Sequence, residues 1–152
     1  MPNRSQWISV LAITAGLMML VGCQSPSMSD SDDGQKPLTL GELQGRWQIQ
    51  SVDGVVMESG GRAFIEFSEP PRLTGNGGCN RFFGMYRFTE GELFIEPAVG
   101  STKMACEPQV MVQEQQLFDV LPQAVETELS AKGELTLSDA DGQPLVTAVR
   151  WQ

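Results

Sequence analysis

Gly75-Asn76-Gly77-Gly78-Cys79-Asn80-Arg81-Phe82-Phe83-Gly84-Met85-Tyr86 decides how this chain folds. The glycines at 75, 77, 78 and 84 permit a positive φ or a close backbone approach, so the chain bends sharply here between extended segments. A phosphate-cradling loop would end in Gly-Lys-Ser/Thr and open a helix, and neither follows. After the bend, residues 83–88 and 93–95 form a hairpin across Thr89-Glu90-Gly91.

Short extended segments continue on both sides. Upstream, Arg46-Trp47-Gln48-Ile49-Gln50-Ser51-Val52 alternates apolar with polar and turns Trp47, Ile49 and Val52 inward. Asp53-Gly54 is a strong two-residue hairpin signal leading into Val55-Val56-Met57. Residues 63–67 read as a further strand, stopped by Pro70-Pro71. Thr39 with Glu42 has capping-box spacing, predicting a helical turn over 40–43. Downstream, residues 129–137 read as a hairpin across 131–133, and 145–151 as a closing strand. One segment has helical period: Pro108 suits a first helical position. Val110, Met111, Glu114, Leu117, Phe118 and Leu121 then recur three, four and seven apart until Pro122. The expected fold is α+β and mainly antiparallel β, a curled sheet or partly closed barrel with one amphipathic helix packed on it.

The 152 residues suit one domain, and 41% hydrophobic with 19% charged residues describes a folded rather than a disordered chain. A net charge of −9 repels phosphate backbones and argues against nucleic acid as a partner. The histidine count is zero, which removes Ser-His-Asp and Cys-His catalysis and every imidazole-bound zinc site.

Residues 1–22 read as a secretory signal. Arg4 supplies the positive start, and the uncharged apolar run from Ile8 to Val21 is shorter than the roughly 20 residues a spanning helix needs. It ends in Leu20-Val21-Gly22-Cys23, which resembles the bacterial lipobox. That resemblance implies acylation of Cys23, with palmitate among the chains, and a durable membrane anchor. The alternative is an ordinary signal peptide with an incidental cysteine. Gln24 and Ser25 follow with no Asp, which in lipoprotein sorting implies transfer to the outer membrane, facing the periplasm. Residues 23–37 then comprise the lipidated Cys and an acidic tether rich in Ser, Asp, Gly and Pro, with a reach of about 20 Å.

The central motif and a second one, Ser101-Thr102-Lys103-Met104-Ala105-Cys106, together resemble the META domain family of HslJ-like heat-shock and lipoprotein domains. The matching residues are Leu43, Gly45 and Trp47; then Gly75, Gly77, Gly78, Cys79, Asn80, Gly84 and Tyr86; then Thr102, Met104 and Cys106; and Glu114 on the helix. The resemblance spans the expected folded domain, 38–152. It implies a compact antiparallel β fold with a packed helix and a link to heat-shock response, aminocoumarin resistance or virulence, with no catalytic residue to carry over.

With Cys23 committed to lipid, Cys79 and Cys106 remain as an even pair in an oxidising compartment, and a disulfide is expected. Two separate buried thiols, or a soft-metal site with Met85 and Met104, are the alternatives. No metal or cofactor is otherwise expected. Glu66, Glu69, Glu92 and Glu96 offer carboxylates for acid–base chemistry but read as solvent-facing sheet positions, and a Ser101–Lys103 dyad as surface. Asp139-Ala140-Asp141-Gly142 lacks the later Glu of a calcium loop and reads as a turn. Two functions follow: a monomeric, non-enzymatic envelope-stress module with an unknown envelope protein partner, or a carrier of an apolar small molecule. The carrier would enclose a cavity lined by Trp47, Phe64, Phe67, Phe88 and Phe94. Replacing Cys23 with Ser should leave an unprocessed precursor that incorporates no labelled palmitate. Metabolic labelling with gel mobility checks this, and normal maturation of the variant would refute the anchor.

Overall fold

The computed structural model describes residues 38–152; the expected signal segment, Cys23 and the expected tether lie outside the described residues. The capping box forms as its spacing predicts. Thr39 Oγ1 accepts from Glu42 N at 3.3 Å, Glu42 Oε2 accepts from Thr39 N at 2.8 Å, and α1 (Leu40–Leu43) follows. Then come β1 (Gly45–Val52), β2 (Val55–Val56), β3 (Phe64–Phe67), β4 (Arg72–Asn76), β5 (Arg81–Thr89), β6 (Glu92–Ile95) and β7 (Gly100–Ser101). Helix α2 (Pro108–Val120) tightens into a 3-10 turn at Leu121–Gln123, and β8 (Glu126–Leu129), β9 (Glu134–Ser138) and β10 (Pro144–Arg150) complete the chain.

All pairings in this ten-stranded sheet are antiparallel, and its ladders run in the order β10-β9-β8-β6-β5-β4-β3-β1. Because β10 also pairs with β1, the sheet returns on itself. The result is ring-like rather than a regular barrel, with α2 packed on it. Its thinnest seam lies between β6 and β8. One register pair, Glu92 with Glu126, joins them there, supported by Leu93 N donating to Val125 O at 2.7 Å.

In β1 the buried positions are Trp47, Ile49 and Val52, two odd numbers and one even. A register shift against β10 between Ile49 and Ser51 explains the change of parity, since one extra residue returns Val52 to the inner face. Asp53 and Gly54 both take positive φ in the tight turn that follows. Several strands differ from the sequence expectation: β7 was not anticipated, and β8 begins at Glu126 rather than at 129. Arg72–Asn76 is a full strand, β4, where the glycine-rich run suggested only a bend, and β5 starts at Arg81 rather than 83. The bend itself is confined to residues 77–80.

Inside the ring Trp47, Phe67, Phe82, Tyr86, Ile65 and Leu137 form one continuous core, closed by Leu117, Val120 and Leu121 from the helix and its 3-10 turn. Phe67 and Tyr86 meet edge to face at 5.1 Å, and Phe82 meets Phe118 of the helix in the same way at 5.5 Å. Trp47 satisfies its indole N–H on Leu43 O at 2.7 Å, and the Arg150 guanidinium covers its ring 4.1 Å from the centroid. Each aromatic edge thus has either an apolar neighbour or a polar partner.

Tyr86, the single tyrosine of the chain, is fully buried and donates its hydroxyl proton to Ser68 O at 2.5 Å. Burial disfavours the phenolate and raises the pKa above its ordinary 10.0. A raised folded-state pKa gives stability that is fully present below about pH 10 and is lost as pH rises through the folded value. Phenolate absorbance should therefore appear together with unfolding in an alkaline titration. Tyr86→Phe should show a flatter loss of stability over the same range, measured by urea unfolding at each pH.

Candidate functional site

The two motifs converge where the loop between β4 and β5 meets the start of α2. Glu114 projects from the helix into this loop and is 5% exposed. Its Oε2 accepts from Asn80 N at 2.6 Å and Cys79 N at 3.3 Å, and its Oε1 accepts from Asn80 Nδ2 at 2.6 Å. Asn80, itself buried, turns its carbonyl oxygen the other way and accepts from Thr102 Oγ1 at 2.8 Å and Met104 N at 2.7 Å. Thr102 Oγ1 in turn accepts from Arg81 N at 3.2 Å. One carboxylate and one carboxamide therefore tie helix, bend and second motif together.

The glycines make room for this carboxylate. A Cβ on Gly77 would lie 2.6 Å from Glu114 Cγ, so any side chain would expel the glutamate. Gly78 has φ +112°, and its Cβ would meet Ser59 and Val110 at about 3 Å. Gly75 lies in β4 against the Phe82 ring, and Gly84 lies in β5 beside Val99. Next to Glu114, Gln113 pins a different segment. Its Oε1 accepts from Glu58 N and its Nε2 donates to Val56 O, each at 2.8 Å.

Cys79 and Cys106 form a disulfide, with Cα atoms 6.0 Å apart and a separation of 27 positions in sequence. The separate-thiol and soft-metal alternatives are therefore overturned, and Met85 lies exposed on β5. Closing a loop of this length restricts the unfolded chain by about 3.5 kcal/mol on the chain-entropy view.

The other sequence candidates do not converge. Glu66 is engaged with Arg46 at 2.8 Å, while Glu69 and Glu92 are exposed apart from it. Asp139 Oδ1 accepts from Asp141 N and Gln143 N, each at 2.9 Å, which is a turn closed on itself. The five aromatics assigned to one cavity divide among three environments. Trp47 and Phe67 are core, Phe64 and Phe88 are half-buried, and Phe94 lies exposed with the Arg87 guanidinium 4.4 Å from its ring centroid. Gln113 was not anticipated, although it falls at helical spacing among apolar residues. Over the brace runs an open groove of about 560 Å³ between residues 97–105 and α2. Val99, Met104, Met111 and Phe118 border it, with Lys103 and Asp119 at its polar edge.

A ring-like antiparallel sheet, one packed helix and a disulfide-locked glycine loop define a small braced β domain. Residues 37–151 match the META domain family, and the chain belongs to that family. An NMR structure of a protein 29% identical to it superposes with a TM-score of 0.56, covering 74% of this chain and 95% of the other. An NMR structure of a protein from Burkholderia xenovorans, 22% identical, shares the fold with a TM-score of 0.61 over 76% and 88% of the two chains. No curated protein matches this sequence. The META domain family is not known as enzymatic.

Glu114→Gln would turn an amide NH₂ toward N–H donors and leave one of them unmatched. We expect a loss of about 2–4 kcal/mol in urea unfolding at unchanged slope, against under about 0.5 kcal/mol for Glu134→Gln on the surface.

Proposed function

We propose that this chain is an outer-membrane-tethered periplasmic lipoprotein whose META domain is a non-enzymatic module of envelope stress or antibiotic resistance, acting through protein contacts. The observation that carries this reading is the groove bordered by Val99, Met104, Met111 and Phe118. Met104 is 57% exposed and Met111 41%, so both thioether side chains face solvent along this groove. Methionine is flexible and polarizable, so it adapts to the side chains of a partner. Beneath it lie the disulfide and the Asn80–Glu114 brace, which fix the backbone on both sides of the junction. An adaptable surface on a fixed base suits protein recognition, because little backbone order is lost on binding.

Two features favour binding over catalysis. Both Glu114 oxygens are occupied by structural donors, and the chain contains no histidine to move a proton. An apolar carrier is the weaker reading, since core side chains occupy the interior and the groove is open to solvent.

Photo-crosslinking amino acids placed at Met111 and, as a control, at Lys132 test this in intact cells. A discrete protein adduct should form from 111 and not from 132, and should disappear when Met104→Glu puts a charge in the groove. Equal labelling from both positions, or an adduct indifferent to Met104→Glu, would refute the assignment.

A further inference from the structure

A second groove, of about 700 Å³, lies on the outer face of β1, β3, β4 and β5. Register brings its residues together: Arg46 pairs with Glu66 across β1 and β3, and Asn76 with Arg81 across β4 and β5. Three guanidinium groups, from Arg46, Arg62 and Arg81, share this groove with a single carboxylate, Glu66, in a chain whose net charge is −9. Local charge therefore has the opposite sign to that of the molecule.

The three arginines are not equivalent. Arg46 bonds Glu66 at 2.8 Å and lies 4.5 Å from the Phe64 ring centroid and 5.8 Å from that of Trp151. Arg62 donates through Nε to Ser59 O at 3.0 Å, which fixes its direction and leaves its terminal nitrogens as further donors. The Arg81 guanidinium has no partner among the described residues, although its backbone is fixed in β5. Aromatic surface lies beside these charges. Phe64 and Trp151 meet edge to face at 5.5 Å, Trp151 is 40% exposed, and Phe83 is 62% exposed.

We propose that this groove binds a small aromatic anion, an aryl carboxylate or aryl phosphate. Arg81 and Arg62 hold its acidic group while its ring packs against Phe83 and Trp151. A planar guanidinium with paired donors matches carboxylate and phosphate oxygens, and aromatic faces accept a flat apolar body. The volume is that of a small-molecule site. Charge selects size as well as sign. A polymeric anion or an acidic protein would extend over the rest of a −9 surface and be repelled, whereas a small anion meets the local field within a screening length of about 10 Å. The site does not depend on the methionine groove, and it stands whether or not that groove binds a protein.

The test is isothermal titration of the intact chain in non-ionic detergent with naphthyl phosphate, naphthol and inorganic phosphate. Naphthyl phosphate should bind saturably and more weakly as salt rises, with naphthol and inorganic phosphate each at least about tenfold weaker. Arg81→Ala should weaken naphthyl phosphate about tenfold, Trp151→Ala should also weaken it, and Lys132→Ala should leave it unchanged. Circular dichroism verifies folding, and Arg62→Ala replaces Arg81→Ala should the latter unfold. Three results would overturn the proposal: no saturable binding of naphthyl phosphate, equal binding of naphthol or inorganic phosphate, or affinity indifferent to both arginine substitutions.

Discussion

The burial of one carboxylate, Glu114, dictates the arrangement around it. A charge removed from water is tolerated only where donors replace the lost hydration. Here they come from the backbone of Cys79 and Asn80 and from the Asn80 side chain. For those donors to converge, the chain must turn tightly at residues 77–80, and a turn that tight against a helix needs Gly77 and Gly78. Asn80 is then held between two partners, donating to Glu114 on one side and accepting from Thr102 and Met104 on the other. The disulfide from Cys79 to Cys106 spans the same junction covalently. The two motifs are thus halves of one connection, which is why they occur together in one small domain.

Much of the fold was legible because local chemistry and final structure agree. The Thr39–Glu42 capping box, the Asp53-Gly54 turn, the alternation in β1 and the helix between Pro108 and Pro122 each carry their own short-range signal. The second face of β4 was not legible, since a strand that contains Gly75 and leads into Gly77-Gly78 has the composition of a loop. Phe64 and Phe67 could have been separated by parity alone. Three residues apart on one strand, they point to opposite faces, and a common cavity was never open to both.

The candidate site was legible as a motif but not as a mechanism. Glu114 stands at a helical position otherwise apolar, a signal that it turns inward; what it turns toward depends on a loop 34 residues away. The arginine groove gave no sequence signal. Arg46, Arg62 and Arg81 are scattered along the chain, and only strand order and register gather them. The two grooves also differ in chemistry, one rich in methionine over the brace, the other cationic and aromatic on the outer sheet.

Because β1 pairs with β10, Trp47 and Arg150 become neighbours only after the chain between them has been synthesised. Pairings across such a long sequence separation close slowly, since loop entropy is lost before contacts form. A copy halted before residue 144 has its first strand, with Trp47, Ile49 and Val52, short of one ladder partner and open along one edge. The domain thus couples the arrival of β10 to protection of its first apolar strand: that seven-residue strand is what hides β1.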